Sequence, residues 1–140
     1  MRQSAGCMKE LFLDIDGVLL TNKNQIVADW AIELIDFILS RSDYYWLTTH
    51  CRESNSTNVL RMLASYFPQS VIEKLKQIKP TQWNTLKTEA IDFNSDFCWL
   101  DDYVLEAEKK ELEQHKCFNN LLLVDLKNDN ELTNIMQKLV

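Results

Sequence analysis

Four aspartates stand in two close pairs, Asp14 with Asp16 and Asp101 with Asp102. Ionised carboxylates this near one another repel, and a divalent cation is the usual remedy. Hard oxygen ligands with few histidines or thiolates point to Mg²⁺ rather than zinc. The two histidines, His50 and His115, cannot form H-E-x-x-H. Glycine is as scarce as histidine, with Gly6 and Gly17 eleven positions apart. No P-loop, no dinucleotide-binding G-x-G-x-x-G and no G-x-S-x-G elbow can therefore be written. Carboxylates fit for Mg²⁺ in a chain without a glycine cradle point to phosphoryl chemistry on a carboxylate nucleophile. The polar run Thr48-Thr49-His50 supplies hydroxyls that such a site would use.

Those residues need elements to hold them, and the apolar pattern provides them. Leu11-Phe12-Leu13, Tyr44-Tyr45-Trp46-Leu47, Phe97-Cys98-Trp99-Leu100 and Leu121-Leu122-Leu123-Val124 read as buried strands. Residues 18–27 carry turn chemistry at Thr21-Asn22-Lys23-Asn24 and read as a small hairpin or flap. Ala31, Leu34, Ile35 and Ile38 keep helical spacing within 29–39. Ser54 and Ser56 can cap a second helix carrying Val59, Leu60, Leu63 and Phe67, which Pro68 would end. Residues 70–79 fit a short strand or a helix, 82–91 and 104–115 favour helices, and Asn130 can cap a last helix through Leu139. The acidic stretch 105–115 reads as a solvated face, and Trp83 and Trp99 read as core. Strands alternating with helices predict one α/β domain over 1–140, three-layered and Rossmann-like, with a mainly parallel sheet and a flexible tail over 1–8. Ligands of such sheets bind beyond the carboxyl ends of the strands. That is where Asp14, Asp16, Thr48, Asp101 and Asp102 fall.

These runs carry a resemblance. Leu11-Phe12-Leu13-Asp14-Ile15-Asp16-Gly17-Val18 resembles the first motif of the haloacid dehalogenase superfamily, an apolar strand followed by D-x-D-G. Tyr45-Trp46-Leu47-Thr48 resembles the second motif and Trp99-Leu100-Asp101-Asp102 the fourth. The resemblance spans about residues 10–125 and implies a Mg²⁺-dependent phosphatase. It makes Asp14 the nucleophile of an aspartyl-phosphate intermediate and Asp16 the general acid and then base. Metal ligands would come from Asp14, the carbonyl of Asp16, and Asp102 with Asp101 in support, or with these two exchanged. Thr48 would bind a phosphoryl oxygen, and Gly17 would let the chain leave the strand beside the ligand. Two lysines compete for the third motif, Lys87 lying 14 residues before Asp101 and Lys79 lying 22 before it. Lys87 is favoured for its helical setting.

A closer resemblance joins Thr48-Thr49-His50-Cys51, Ile78-Lys79-Pro80-Thr81-Gln82-Trp83 and Leu86-Lys87-Thr88-Glu89-Ala90-Ile91 to the phosphatase domain of "Swiss army knife" RNA repair proteins. It implies removal of phosphate from RNA ends. Short gaps agree with a bulky substrate. About 30 residues separate the first two motifs, too few for a large folded cap. Thr49, His50, Arg52 and Lys79 are the candidate substrate contacts, with His50 alternatively a loop hydrogen-bonder and Arg52 alternatively a surface charge. The net charge of −6 argues against stable nucleic-acid binding through a basic surface. Charge is uneven, however: residues 61–87 hold five cations against Glu73 alone. Four cysteines without a C-x-x-C pair read as free thiols of a reducing cytosol, so a cytoplasmic protein is expected. No apolar run approaches the roughly 18 residues of a membrane span. Rival readings are a phosphatase of small molecules or phosphoproteins, an inactive binding module, and a receiver domain. Receivers place their acidic pair after the first strand, whereas here the adjacent acids come late.

Overall fold

The apolar runs become four short parallel strands. The computed structural model describes residues 10–41 and 43–139; the expected tail over 1–8, with Gly6 and Cys7, lies outside them. β1 is Glu10–Leu13, β2 Asp43–Trp46, β3 Phe97–Asp101 and β4 Leu121–Leu123. The helices are α1 (Ala31–Leu39), α2 (Thr57–Leu63), α3 (Gln69–Leu75), α4 (Glu106–Gln114) and α5 (Glu131–Leu139). Strand order is β2-β1-β3-β4, and every pairing is parallel. The chain leaves β1 toward β2 on one side and comes back to β3 on the other. The reversal between β1 and β3 is the switch point at which α/β sheets bind ligands.

Side chains alternate across each strand, so one sheet has two apolar faces. Leu11, Leu13, Trp46, Cys98 and Leu100 pack on one face with residues of α1, α2, α3 and α5. Phe12, Leu47, Phe97 and Trp99 pack on the other with Trp83, Ile91, and Leu112 of α4. The result is an α/β domain of three layers, with all four strands parallel. Among the described residues, no helix is long and apolar enough to cross a membrane.

Register sets the functional edge. Leu13 is level with Trp46 on one side and Leu100 on the other. Beyond that level, the Asp14 amide donates to the Leu100 carbonyl (3.1 Å) and the Leu47 amide to the Leu13 carbonyl (2.9 Å). Asp14, Thr48 and Asp101 therefore emerge from one edge. The hairpin expected over 18–27 is present: Leu20 pairs with Val27, and the Thr21 amide donates to the Ile26 carbonyl (2.8 Å).

Several local expectations are corrected. Residues 82–91 form no α-helix, only a 3-10 turn at Lys87–Ala90. The Glu89 carboxylate captures the amides of Asn84, Thr85 and Leu86 (2.8, 3.2 and 3.0 Å), a local competitor to helical bonding. Gln82 instead pairs with Glu53, and the Thr81 hydroxyl donates to the Trp46 carbonyl (2.6 Å). α2 stops at Leu63, so Pro68 does not end it and instead opens α3. Ser56 precedes α2 without a side-chain cap bond; Asn55 Oδ1 accepts the Thr57 amide at 2.8 Å. The acidic face of α4 is not wholly solvated, because Glu108 is buried.

Candidate active site

β1 and β3 carry the two aspartate pairs to the switch point. Asp14 is 6% exposed and Asp101 1%. Ligand oxygens of Asp14, Asp101 and Asp102 lie within 4.8 Å of one another. Lys87 reaches into the same cluster: its Nζ is 2.7 Å from Asp101 Oδ2 and 3.4 Å from Asp14 Oδ2.

The short link from Lys87 to Asp101 works because the 3-10 turn lies against α4. The Lys87 amide donates to Oε2 of buried Glu108 (2.7 Å), whose Oε1 accepts the Leu105 amide (2.9 Å). Glu108 is thus a positioning residue hidden in a stretch whose acids resemble a solvent face. Lys79, the competing lysine, lies elsewhere. Its backbone pairs along the outer edge of β2, and its Nζ sits 3.5 Å from Asp43 at the opposite end of that strand. Lys79 is therefore not brought to the cluster, as catalytic lysine or as substrate contact.

The two acids of β3 differ in their surroundings. Asp101 Oδ2 accepts Lys87 Nζ and Trp99 Nε1 (3.1 Å), and Oδ1 accepts the amides of Asp102 (2.8 Å) and Tyr103 (3.2 Å). Among the described residues, Asp102 Oδ2 accepts only Asn22 Nδ2 of the hairpin (2.7 Å). Asp101 is thus tied down by four donors, and Asp102 meets a single one among the described residues. Gly17 makes this possible: its φ is +81°, and a Cβ there would overlap the Asp102 carboxylate. Asn22 had no signal in the sequence beyond its turn composition.

Burial, together with the charge of Asp14, pushes the Asp101 carboxyl up to about 8 against the pull of Lys87. Burial also opposes the charge of Lys87, but Asp14 and Asp101 more than offset it and hold the ammonium above its ordinary range. One lysine thus faces more buried carboxyl groups than it can keep ionised. That excess, and a donor set of hard oxygens, fit a divalent cation such as Mg²⁺.

Asp16 follows in the turn that Gly17 completes through its amide to the Leu20 carbonyl (2.7 Å). His50 Nε2 lies 2.9 Å from Asp16 Oδ2, while Asp16 Oδ1 is buried without a hydrogen-bond partner among the described residues. Thr48 is fully buried, and its Oγ1 accepts the His50 amide (3.3 Å). Thr49, His50 and Arg52 line an open cleft with Trp83 and Asn84. Trp83 and Trp99 are core residues as expected, at 6% and 0% exposure. Cys51, Cys98 and Cys117 are free and buried, and burial drives the Cys98 thiol up to about 12.

No family model, curated protein or solved structure gives a significant match to this chain.

Proposed function

We propose that this protein is a Mg²⁺-dependent phosphomonoesterase that works through an aspartyl-phosphate at Asp14, as its resemblance to the haloacid dehalogenase superfamily implies. The observation that carries the reading is the Lys87 ammonium set between Asp14 and Asp101 at the switch point, with Asp102 in the same oxygen cluster. A buried carboxylate beside a fixed cation is suited to attack on a phosphate ester.

The Asp14 carboxylate attacks phosphorus, forming a bond to it as the ester P–O bond breaks. Asp16 gives its proton to the departing oxygen, then takes one from the water that hydrolyses the acyl phosphate. His50 holds the Asp16 carboxyl in place from 2.9 Å. The Thr48 hydroxyl and Lys87 ammonium bind phosphoryl oxygens. Mg²⁺, held by Asp14, Asp102 and the Asp16 carbonyl, would supply the positive charge that offsets attacking carboxylate and phosphate.

The segments after β1 and β2 hold a hairpin and short helices rather than a folded cap. An open edge favours a bulky substrate, an RNA end being the one that the closer resemblance implies. A net charge of −6 speaks for brief engagement of such an end rather than stable nucleic-acid binding. Unpaired cysteines favour a cytoplasmic setting. Turnover of an aryl phosphate with and without Mg²⁺, run beside Asp14→Asn, tests the reading. It expects metal-dependent turnover that Asp14→Asn abolishes in a folded protein, and equal turnover by the variant overturns it.

A further inference from the structure

The cleft beside Asp16 has a cation that the proposed chemistry does not use. Residues 52–54 run antiparallel to 81–83: the Trp83 amide donates to the Arg52 carbonyl (3.0 Å) and the Ser54 amide to the Thr81 carbonyl (3.0 Å). Trp83 is a fixed plate in this arrangement, buried, with Nε1 donating to the Cys51 carbonyl (3.2 Å). The Arg52 guanidinium lies over that plate, 4.6 Å from the ring centroid, and donates to the Asn84 carbonyl. Stacking and one carbonyl hold the fork without consuming it, since a guanidinium has five N–H donors.

The surroundings leave that charge available. Among the described residues, no carboxylate forms an ion pair with Arg52. Glu89 senses its charge, but the Glu89 carboxylate is turned to the amides of Asn84, Thr85 and Leu86. Glu53 also lines the cleft; it is exposed on the strand-like segment that pairs with Gln82. The cleft has a volume of about 520 Å³, within the usual range of ligand sites. His50 belongs both to its lining and to the Asp16 contact, so the cleft opens on the side where the leaving group departs.

We infer that Arg52, stacked on Trp83, binds a second phosphate carried by the leaving group of the substrate and so selects substrates with two phosphates. This rests on the phosphatase reading above, because it takes Asp16 to mark the leaving-group side. An oriented guanidinium prefers phosphate for its bidentate geometry. The second phosphate has two sources, the internucleotide diester of a strand end and the far monoester of a bisphosphorylated small molecule.

The test compares kcat/KM for four substrates: an aryl phosphate, a nucleoside 3′-monophosphate, a nucleoside 3′,5′-bisphosphate and a dinucleotide with a 3′-phosphate. The unaltered protein is expected to prefer one or both of the last two over the monophosphate by about tenfold, the effect of one charged hydrogen-bonded contact. Preference for the dinucleotide alone identifies the diester; preference for the bisphosphate alone identifies the monoester. Arg52→Ala is expected to erase that preference, losing about tenfold more on the preferred substrate than on the aryl phosphate. Arg52→Gln serves the same comparison if Arg52→Ala does not fold. Added salt should also lower the preference in the unaltered protein, since an exposed contact is screened. No preference in the unaltered protein, or equal losses on all substrates in the variants, overturns the inference while aryl phosphate turnover stands. Absence of aryl phosphate turnover altogether counts instead against the underlying phosphatase reading.

Discussion

Replacing Lys87 by methionine keeps the length of the stem and removes the charge, so it isolates what the ammonium does. The side chains of Lys87, Asp14 and Asp101 are 13%, 8% and 2% exposed, so solvent screens little of the interaction. Breaking a buried ion pair from one side costs about 3–5 kcal/mol, because a charge is left buried without compensation. An independent bound agrees. If a carboxyl that the parent keeps ionised escapes by taking up a proton, the cost is about 1.4 kcal/mol for each pH unit above an ordinary value of about 3.9, or about 4 kcal/mol at pH 7. The sign follows. The folded variant then binds one proton more than the folded parent, so its deficit grows as pH rises and shrinks toward pH 4. A domain of this size loses roughly 3–4 °C per kcal/mol, so Lys87→Met should melt about 10–15 °C lower at pH 7. Millimolar Mg²⁺ should restore part of the loss, since it brings positive charge to the same carboxylates. The assay is thermal and urea unfolding across pH 5–8 with and without Mg²⁺. A variant within about 1 kcal/mol of the parent at every pH would refute the reasoning.

Three further outcomes follow from the same geometry. In the metal-free parent, the Asp101 carboxyl rises from 3.8 to about 8; its contribution to stability is therefore present below 3.8 and lost as pH rises through 8, and Mg²⁺ should flatten that slope in urea unfolding. Gly17→Ala forces a side chain into left-handed backbone and against Asp102, so it should lower stability by at least about 1–2 kcal/mol and weaken the Mg²⁺ dependence of turnover, measured by urea unfolding and Mg²⁺ titration. His50→Ala loosens the Asp16 carboxyl and should slow alkyl phosphates, whose leaving oxygen needs a proton, more than aryl phosphates; equal slowing would place His50 outside proton transfer.

The sheet was legible because its strands are nearly pure apolar runs bounded by polar residues, and because Asp14, Thr48 and Asp101 follow those runs directly. The 82–91 segment was misread for a physical reason. Its composition favours a helix, but the Glu89 carboxylate takes the amides that a helix would need, and Trp83 is drawn to the Arg52 edge. The choice between Lys79 and Lys87 turns on tertiary placement, since only the packing of the 3-10 turn against α4 through Glu108 brings one of them to Asp101. Glu108 and Asn22 were hidden because nothing local separates a buried acid from its solvated neighbours on a helix, or a latch from a turn residue. The pairing of Asp16 with His50 spans 34 positions and leaves no mark in sequence spacing.

Covalent chemistry at Asp14 is the central claim, and mapping the intermediate tests it most directly. Protein quenched during turnover of a phosphate monoester with Mg²⁺ is treated with borohydride, which reduces an acyl phosphate to an alcohol, and its peptides are then sequenced by mass spectrometry. Conversion of Asp14 to homoserine, absent without substrate, is the expected result. Turnover with no modified aspartate, or with the modification at Asp16, Asp101 or Asp102 and Asp14 intact, would contradict the account.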